Sequence, residues 1–261
     1  MKSLPYVGLS CVGGVASVLV GAGVLMAAPA WADASYQLTP SRLVLQAGGS
    51  GAAGSFQVRS TGDEPVAIEV RVTDRQMDPL GNETQNDAED DFVVYPPQIL
   101  LQPGQVQTVR VTWLGEPNVE VEQAFRLITE QLPINLGGPE APPTGVTVRI
   151  NALYRYVAAL YVTPPGAQPN VVIRQASHQR IDGQDKLLLE FDNQGTAHQL
   201  LSGLTLTLAP VNQPGASLIL RPDQLTGING ENVLAQHQRQ FVMPWPEGLP
   251  IGPVTASFEL R

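Results

Sequence analysis

The chain has 261 residues, among them 25 glycines, 23 prolines and one cysteine, and a formal net charge of −9 at pH 7. That acidic balance argues against sequence-independent nucleic-acid binding, which needs a basic face to neutralise phosphates. A single thiol excludes a disulfide within the chain.

Residues 1–32 open on Met1-Lys2, run without charge from Ser3 to Ala32 and close on Ala30-Trp31-Ala32. A basic start, an apolar centre and an A-x-A end describe a secretory signal peptide, cut between Ala32 and Asp33. The competing reading, a membrane anchor, is disfavoured by the many small residues and the cleavage site. Cys11 leaves with this segment, so the mature chain of about 229 residues is held by its cores alone, at a charge of −10 once Lys2 is gone. The expectation is an exported protein without membrane insertion after cleavage.

Beyond Asp33 no helical pattern stands out. Short alternating apolar runs recur between Gly, Pro, Asn and Asp. Tyr36–Leu38 and Arg42–Leu45 form a first strand broken at Pro40. The Gly-rich stretch Gly48–Gly54 is a turn, with no Lys or helix after it to make a phosphate cradle. Ser55–Arg59 follows, then Val66–Thr73, in which Val66, Ile68, Val70 and Val72 face inward. The segment from Asp74 to Asp91 is polar and acidic. Its Asp87-Ala-Glu-Asp-Asp91 lacks the spacing of a calcium loop and reads as solvated.

Strands are then predicted at Phe92–Tyr95, Ile99–Leu101, Val106–Trp113 and Phe125–Leu132. A Pro/Gly-rich loop from Gly137 leads into one long run, Gly145–Val162, with no Pro and no acid. Its first half alternates, with Val146, Val148, Ile150 and Ala152 on one face. Its end, Val157–Val162, is apolar on both faces. As a single strand it would reach about 60 Å, long enough to offer a row of bare β-branched side chains to a partner.

The linker Thr163-Pro-Pro-Gly166 precedes a second β-rich segment. Its strands are predicted at Asn170–Ala176, Lys186–Asp192, Ser202–Leu208, Ser217–Leu220, Gln238–Met243 and Val254–Leu260. The expected fold class is all-β: two immunoglobulin-like β-sandwich domains joined by a short linker, with a cleft between them. Residues 33–163 and 164–261 are the two domains. His178, His198 and His237 have no Cys or His at ligand spacing, so no metal is expected. There is no G-x-S-x-G elbow and no thiol in the mature chain, so the chain does not read as an enzyme and no cofactor is implied.

Several segments resemble the PapD-like periplasmic pilus-assembly chaperones, in a divergent, non-classical branch. They are Leu38-Thr-Pro-Ser-Arg-Leu-Val-Leu45; Phe92-Val-Val-Tyr-Pro-Pro-Gln-Ile-Leu-Leu-Gln-Pro-Gly-Gln-Val-Gln-Thr-Val-Arg-Val111; Gln123-Ala-Phe-Arg-Leu-Ile-Thr-Glu-Gln-Leu-Pro133; and the long strand ending at Pro164. The resemblance implies a periplasmic chaperone that stabilises pilus or coat subunits by lending an edge strand and delivers them to an outer-membrane usher. The lent row would be Val146, Val148, Ile150, Ala152 and Tyr154, although any sandwich strand alternates and the row could equally pack in its own domain.

Family members also grip the subunit's terminal carboxylate with basic residues. Arg42 stands where the first-strand arginine belongs, while Ala159 replaces the usual late-strand lysine. By analogy with the non-classical branch, Arg126 and Arg155 become the replacement anchors, since an arginine fork binds a carboxylate bidentately. The plainer alternative leaves them as cross-strand neighbours facing solvent, Glu122 or Glu130; Arg110 is read as structural. The competing function is a structural or adhesive immunoglobulin-like exported protein.

Overall fold

The computed structural model describes residues 34–134, 136, 152–213 and 215–261. In the first domain Pro40, which cannot donate to a ladder, separates β1 (Tyr36–Thr39) from β2 (Arg42–Gln46). The break sends the two strands to different sheets. β1 pairs with β3 (Ala53–Ser60), whereas β2 runs parallel to a strand from the far end of the domain.

The chain continues through β4 (Val66–Asp74), β5 (Gln76–Met77), β6 (Glu83–Thr84), β7 (Phe92–Tyr95), β8 (Gln98–Leu101), β9 (Val106–Trp113), β10 (Gln123–Gln131) and β11 (Arg155–Thr163). One sheet has the order β1-β3-β9-β7 and the other β2-β11-β10-β4-β8. Alternation decides what lies between them: Phe56, Val58, Ile68, Val72, Val109, Leu127 and Leu160 are fully buried in one cluster. Phe92 stands edge-on to Trp113 and Phe125, with ring centroids 5.0 and 4.8 Å away, a favourable geometry for aromatic quadrupoles.

The second domain comprises β12 (Val171–Ile181), β13 (Gln184–Asn193), β14 (Gln199–Leu200), β15 (Thr205–Pro210), β16 (Leu218–Leu220), β17 (Asn232–Val233), β18 (Gln238–Pro244) and β19 (Val254–Glu259). They form the ladders β12-β13-β18, β16-β15-β19 and the short pair β14-β17. Leu187, Leu189, Phe191, Leu206 and Leu208 are fully buried in a core separate from the first. The fold is all-β, with two immunoglobulin-like domains, as the sequence predicts.

Three differences from the sequence reading matter. The long run Gly145–Val162 is not one strand throughout its described part: β11 begins at Arg155, and Ala152 and Tyr154 precede it outside any strand. The reason lies in its neighbour. β10 ends at Gln131, close before Pro133, and among the described residues the last backbone bond between the two segments is the Gln131 N–H donating to the Tyr154 carbonyl at 2.9 Å. Val146, Val148 and Ile150 lie outside the described residues.

Secondly, the acidic segment is not simply loop. It folds a hairpin, β5–β6, whose turn is closed by Asp78, which accepts the Asn82 backbone N–H at 2.8 Å and its side-chain amide at 2.7 Å. Those bonds hold the Asp78 carboxyl below its ordinary range. Gly81 takes φ +91° there, a conformation that favours glycine. Thirdly, β12 runs on to Ile181, beyond the predicted Ala176, because β13 stays in register with it to the turn at Asp182-Gly183. Among the described residues no group of three His, Cys, Asp or Glu is placed to hold a metal.

Candidate functional site

The face of the five-stranded sheet that points away from the core carries the candidate anchors. Phe125 and Leu127 of β10 and Leu160 of β11 point into the core, so their neighbours Arg126 and Ala159 point out. Register then sets one row across four strands: Thr73 beside Arg126, Arg126 beside Ala159, and Ala159 beside Arg42. Arg42 and Arg126 are two strand spacings apart, about 10 Å at the backbone, with only a methyl group between them. Arg42 is exposed, and its side chain makes no hydrogen bond or ion pair among the described residues.

Arg155 is not in this row. It lies four residues along β11, about 13 Å away, opposite Glu130 in register and 3.9 Å from its carboxylate. The site therefore brings together Arg42 and Arg126 and leaves Arg155 as a cross-strand partner of Glu130. Arg71 reaches the same carboxylate at 3.5 Å. All three side chains are more than a third exposed, so these pairs are worth little.

Arg126 is itself engaged. Its Nε donates to Glu83 Oε2 at 3.0 Å and a terminal nitrogen donates to Oε1. Arg75 donates to the same Oε1 from Nε at 2.8 Å and lies 2.6 Å away through a second nitrogen. Burial opposes ionisation of Glu83, but the bonds and charges of Arg126 and Arg75 outweigh it and hold the carboxyl below its usual range. Nothing local in the sequence points to Glu83, which arrives on the unpredicted hairpin.

The same hairpin and the end of β11 touch the second domain. Arg75 donates to the Tyr161 hydroxyl at 3.0 Å, and the Asn232 amide donates to it at 2.7 Å. The Tyr161 ring stacks on His198 with centroids 4.0 Å apart. Glu122 accepts from the His198 backbone N–H at 2.9 Å and from the Thr163 hydroxyl at 2.7 Å, and lies 2.6 Å from His198 Nδ1. Burial raises the Glu122 carboxyl, but these bonds prevail and leave it lowered. On the hairpin, Pro79 accepts the Gln240 N–H at 2.6 Å and Met77 lies 2.9 Å from Arg239.

The root of β11 is fastened to the first strand. The Tyr36 hydroxyl lies 2.9 Å from the Thr129 carbonyl and 3.2 Å from that of Tyr154, and burial pushes its pKa up to about 12. Along β11 one edge is paired with β10 from Arg155 onward, whereas β2 joins the other edge only at Ala159. Among the described residues Arg155–Ala158 thus has no strand on that side.

A pair of immunoglobulin-like domains, held at a polar junction and carrying an arginine row beside a partly open strand edge, defines a class of two-domain β-sandwich proteins. Residues 35–166 match the family described as "Pili and flagellar-assembly chaperone, PapD N-terminal domain", and the chain belongs to that family. Its fold is similar to that in the CsuC–CsuE chaperone–tip adhesion subunit pre-assembly complex from archaic chaperone-usher Csu pili of Acinetobacter baumannii. That likeness has 16% identity, a TM-score of 0.57, and covers 87% of this chain and 97% of that one. The E. coli chaperone DraB gives 18%, 0.51, 85% and 87%. The Salmonella enterica SafA pilin in complex with the SafB chaperone gives 17%, 0.51, 82% and 86%. At these identities the likeness is one of fold. No curated protein is significantly similar in sequence.

Proposed function

We propose that the chain is a periplasmic chaperone that caps pilus or coat subunits by donor-strand complementation and delivers them to an outer-membrane usher. The observation that carries this reading is the edge of β11 at Arg155–Ala158, which no strand covers among the described residues. A subunit strand added there would gain main-chain hydrogen bonds, while alternate side chains of the lent segment set the register. Val146, Val148, Ile150, Ala152 and Tyr154 form that segment. The terminal carboxylate of the subunit would meet Arg126 and Arg42 across Ala159, while Arg155 stays beside Glu130.

On this reading residues 1–32 are removed on export, 33–163 form the chaperone domain and 164–261 the second domain. No catalytic residue or cofactor takes part, and the subunit's own folding drives transfer. The test is affinity capture from periplasmic extract. A small subunit is expected in one-to-one complex, lost with Ile150→Asp and with Arg42→Ala while both variants keep the wild-type thermal transition. A client-free monomer, or binding indifferent to both substitutions, would overturn the reading.

A further inference from the structure

Two guanidinium groups share one carboxylate at the candidate anchor. Glu83 Oε1 receives Arg75 and one nitrogen of Arg126, while Oε2 receives only the Nε of Arg126. Glu83 therefore fills the Nε edge of the Arg126 fork, the edge suited to bidentate recognition of a planar carboxylate. The three side chains are 6%, 17% and 21% exposed for Arg75, Arg126 and Glu83. Two positive charges face one negative charge, so the cluster is one carboxylate short of neutrality. Thr73, next to Arg126 in the row, is buried with its hydroxyl unpartnered.

We propose that Glu83 is a resident carboxylate that occupies Arg126 in the free chaperone and yields it to the C-terminal carboxylate of an incoming subunit. This rests on the anchor reading of Arg126 given above. The bonding of the two oxygens makes the exchange feasible. Oε1 stays on Arg75, so the most buried guanidinium never loses its counter-charge, which would be costly. Only the bonds to Arg126 change hands, and the cluster passes from one net positive charge to none. A single carboxylate completes that balance, whereas a phosphate dianion would overshoot it.

The hairpin that carries Glu83 is tied at its turn to the second domain through Pro79 and Gln240. The strand backbone of Glu83 is paired with Met77, which itself contacts Arg239. The exchange is consequently a side-chain movement about a fixed backbone, and Glu83 acts as an internal competitor that sets the affinity of the anchor.

The test uses the full mature chain and acetyl-Ala-Ala-Ala with a free terminal carboxylate, against the same peptide amidated. Binding is followed by NMR at the arginine Nε–H resonances. Glu83→Gln is expected to bind the free-acid peptide at least about fivefold more tightly than wild type, the upper end of what even an exposed pair is worth. The Arg126 Nε–H signal shifts on binding, and the amide has no effect. Glu83→Asp keeps a charge for Arg75 but withdraws it from Arg126, and should fall between the two; it also serves if Glu83→Gln folds poorly. Equal affinity of wild type and both variants, with Arg126 shifting in each, would overturn the competition and leave the anchor standing. No shift of Arg126 in any variant would remove the anchor and this proposal together.

Discussion

Glu122→Ala tests the junction between the domains. The Glu122 side chain is 3% exposed and that of His198 13%, so solvent screens the contact little. The carboxylate accepts from the Thr163 hydroxyl, from the His198 N–H and meets His198 Nδ1, at 2.7, 2.9 and 2.6 Å. Removing it strands all three groups at once and unseats the ring that stacks on Tyr161. Each donor stranded in such a buried site costs about 1–3 kcal/mol. The expected loss is about 3 kcal/mol in equilibrium urea denaturation followed by fluorescence, since Trp113 and Trp245, one in each domain, lie outside the altered contact. Glu122→Gln should recover part of the loss by keeping one acceptor. A loss below about 1 kcal/mol would refute the reasoning, because it would equal that of an exposed pair.

Glu83 and Glu122 both have lowered carboxyl pKa values in the folded chain. The unfolded state therefore takes up protons first, so their contribution is complete above the unfolded glutamate value, about 4.3, and is lost as pH falls through the folded values. Thermal melts should weaken on that acid side and be flat from pH 6 to 8 as far as these two groups are concerned. Tyr36 acts at the other end: its pKa is raised from 10.0 to about 12, so its contribution holds below 10.0 and disappears as pH rises through about 12. Tyr36→Phe removes the hydroxyl that holds Thr129 and Tyr154 and should cost about 1 kcal/mol, with faster amide exchange at Tyr154. Gly81→Ala places a Cβ 2.2 Å from an Arg239 nitrogen at φ +91°; it should lower stability by about 1–3 kcal/mol and loosen the Pro79–Gln240 contact, read as faster exchange of the Gln240 amide.

How much was legible in the sequence depended on the range of the interaction. β7 and β9 coincide with the predicted Phe92–Tyr95 and Val106–Trp113, because alternation and a flanking Pro-Gly turn are written within a few residues. The pairs β5–β6 and β14–β17, two residues per strand, are too short to show a period. Arg42 and Arg126 were recognisable as candidates one at a time, but their common row depends on the registers of two strand pairs. Glu83 was hidden because it meets Arg126 across 43 residues of sequence, in a stretch where acids are common. Glu122 and His198 are 76 apart for the same reason.

The sequence by itself determined the all-β class, the division into two sandwiches and the arginines available to bind an acid, since each follows from local pattern and side-chain chemistry. Tertiary structure alone decided which arginine stands beside which, that Arg155 belongs to Glu130, and that Arg126 already holds a carboxylate. Those outcomes depend on strand register and on a hairpin folding back onto the sheet, and a charge carries no record in the sequence of the partner that the fold will bring to it.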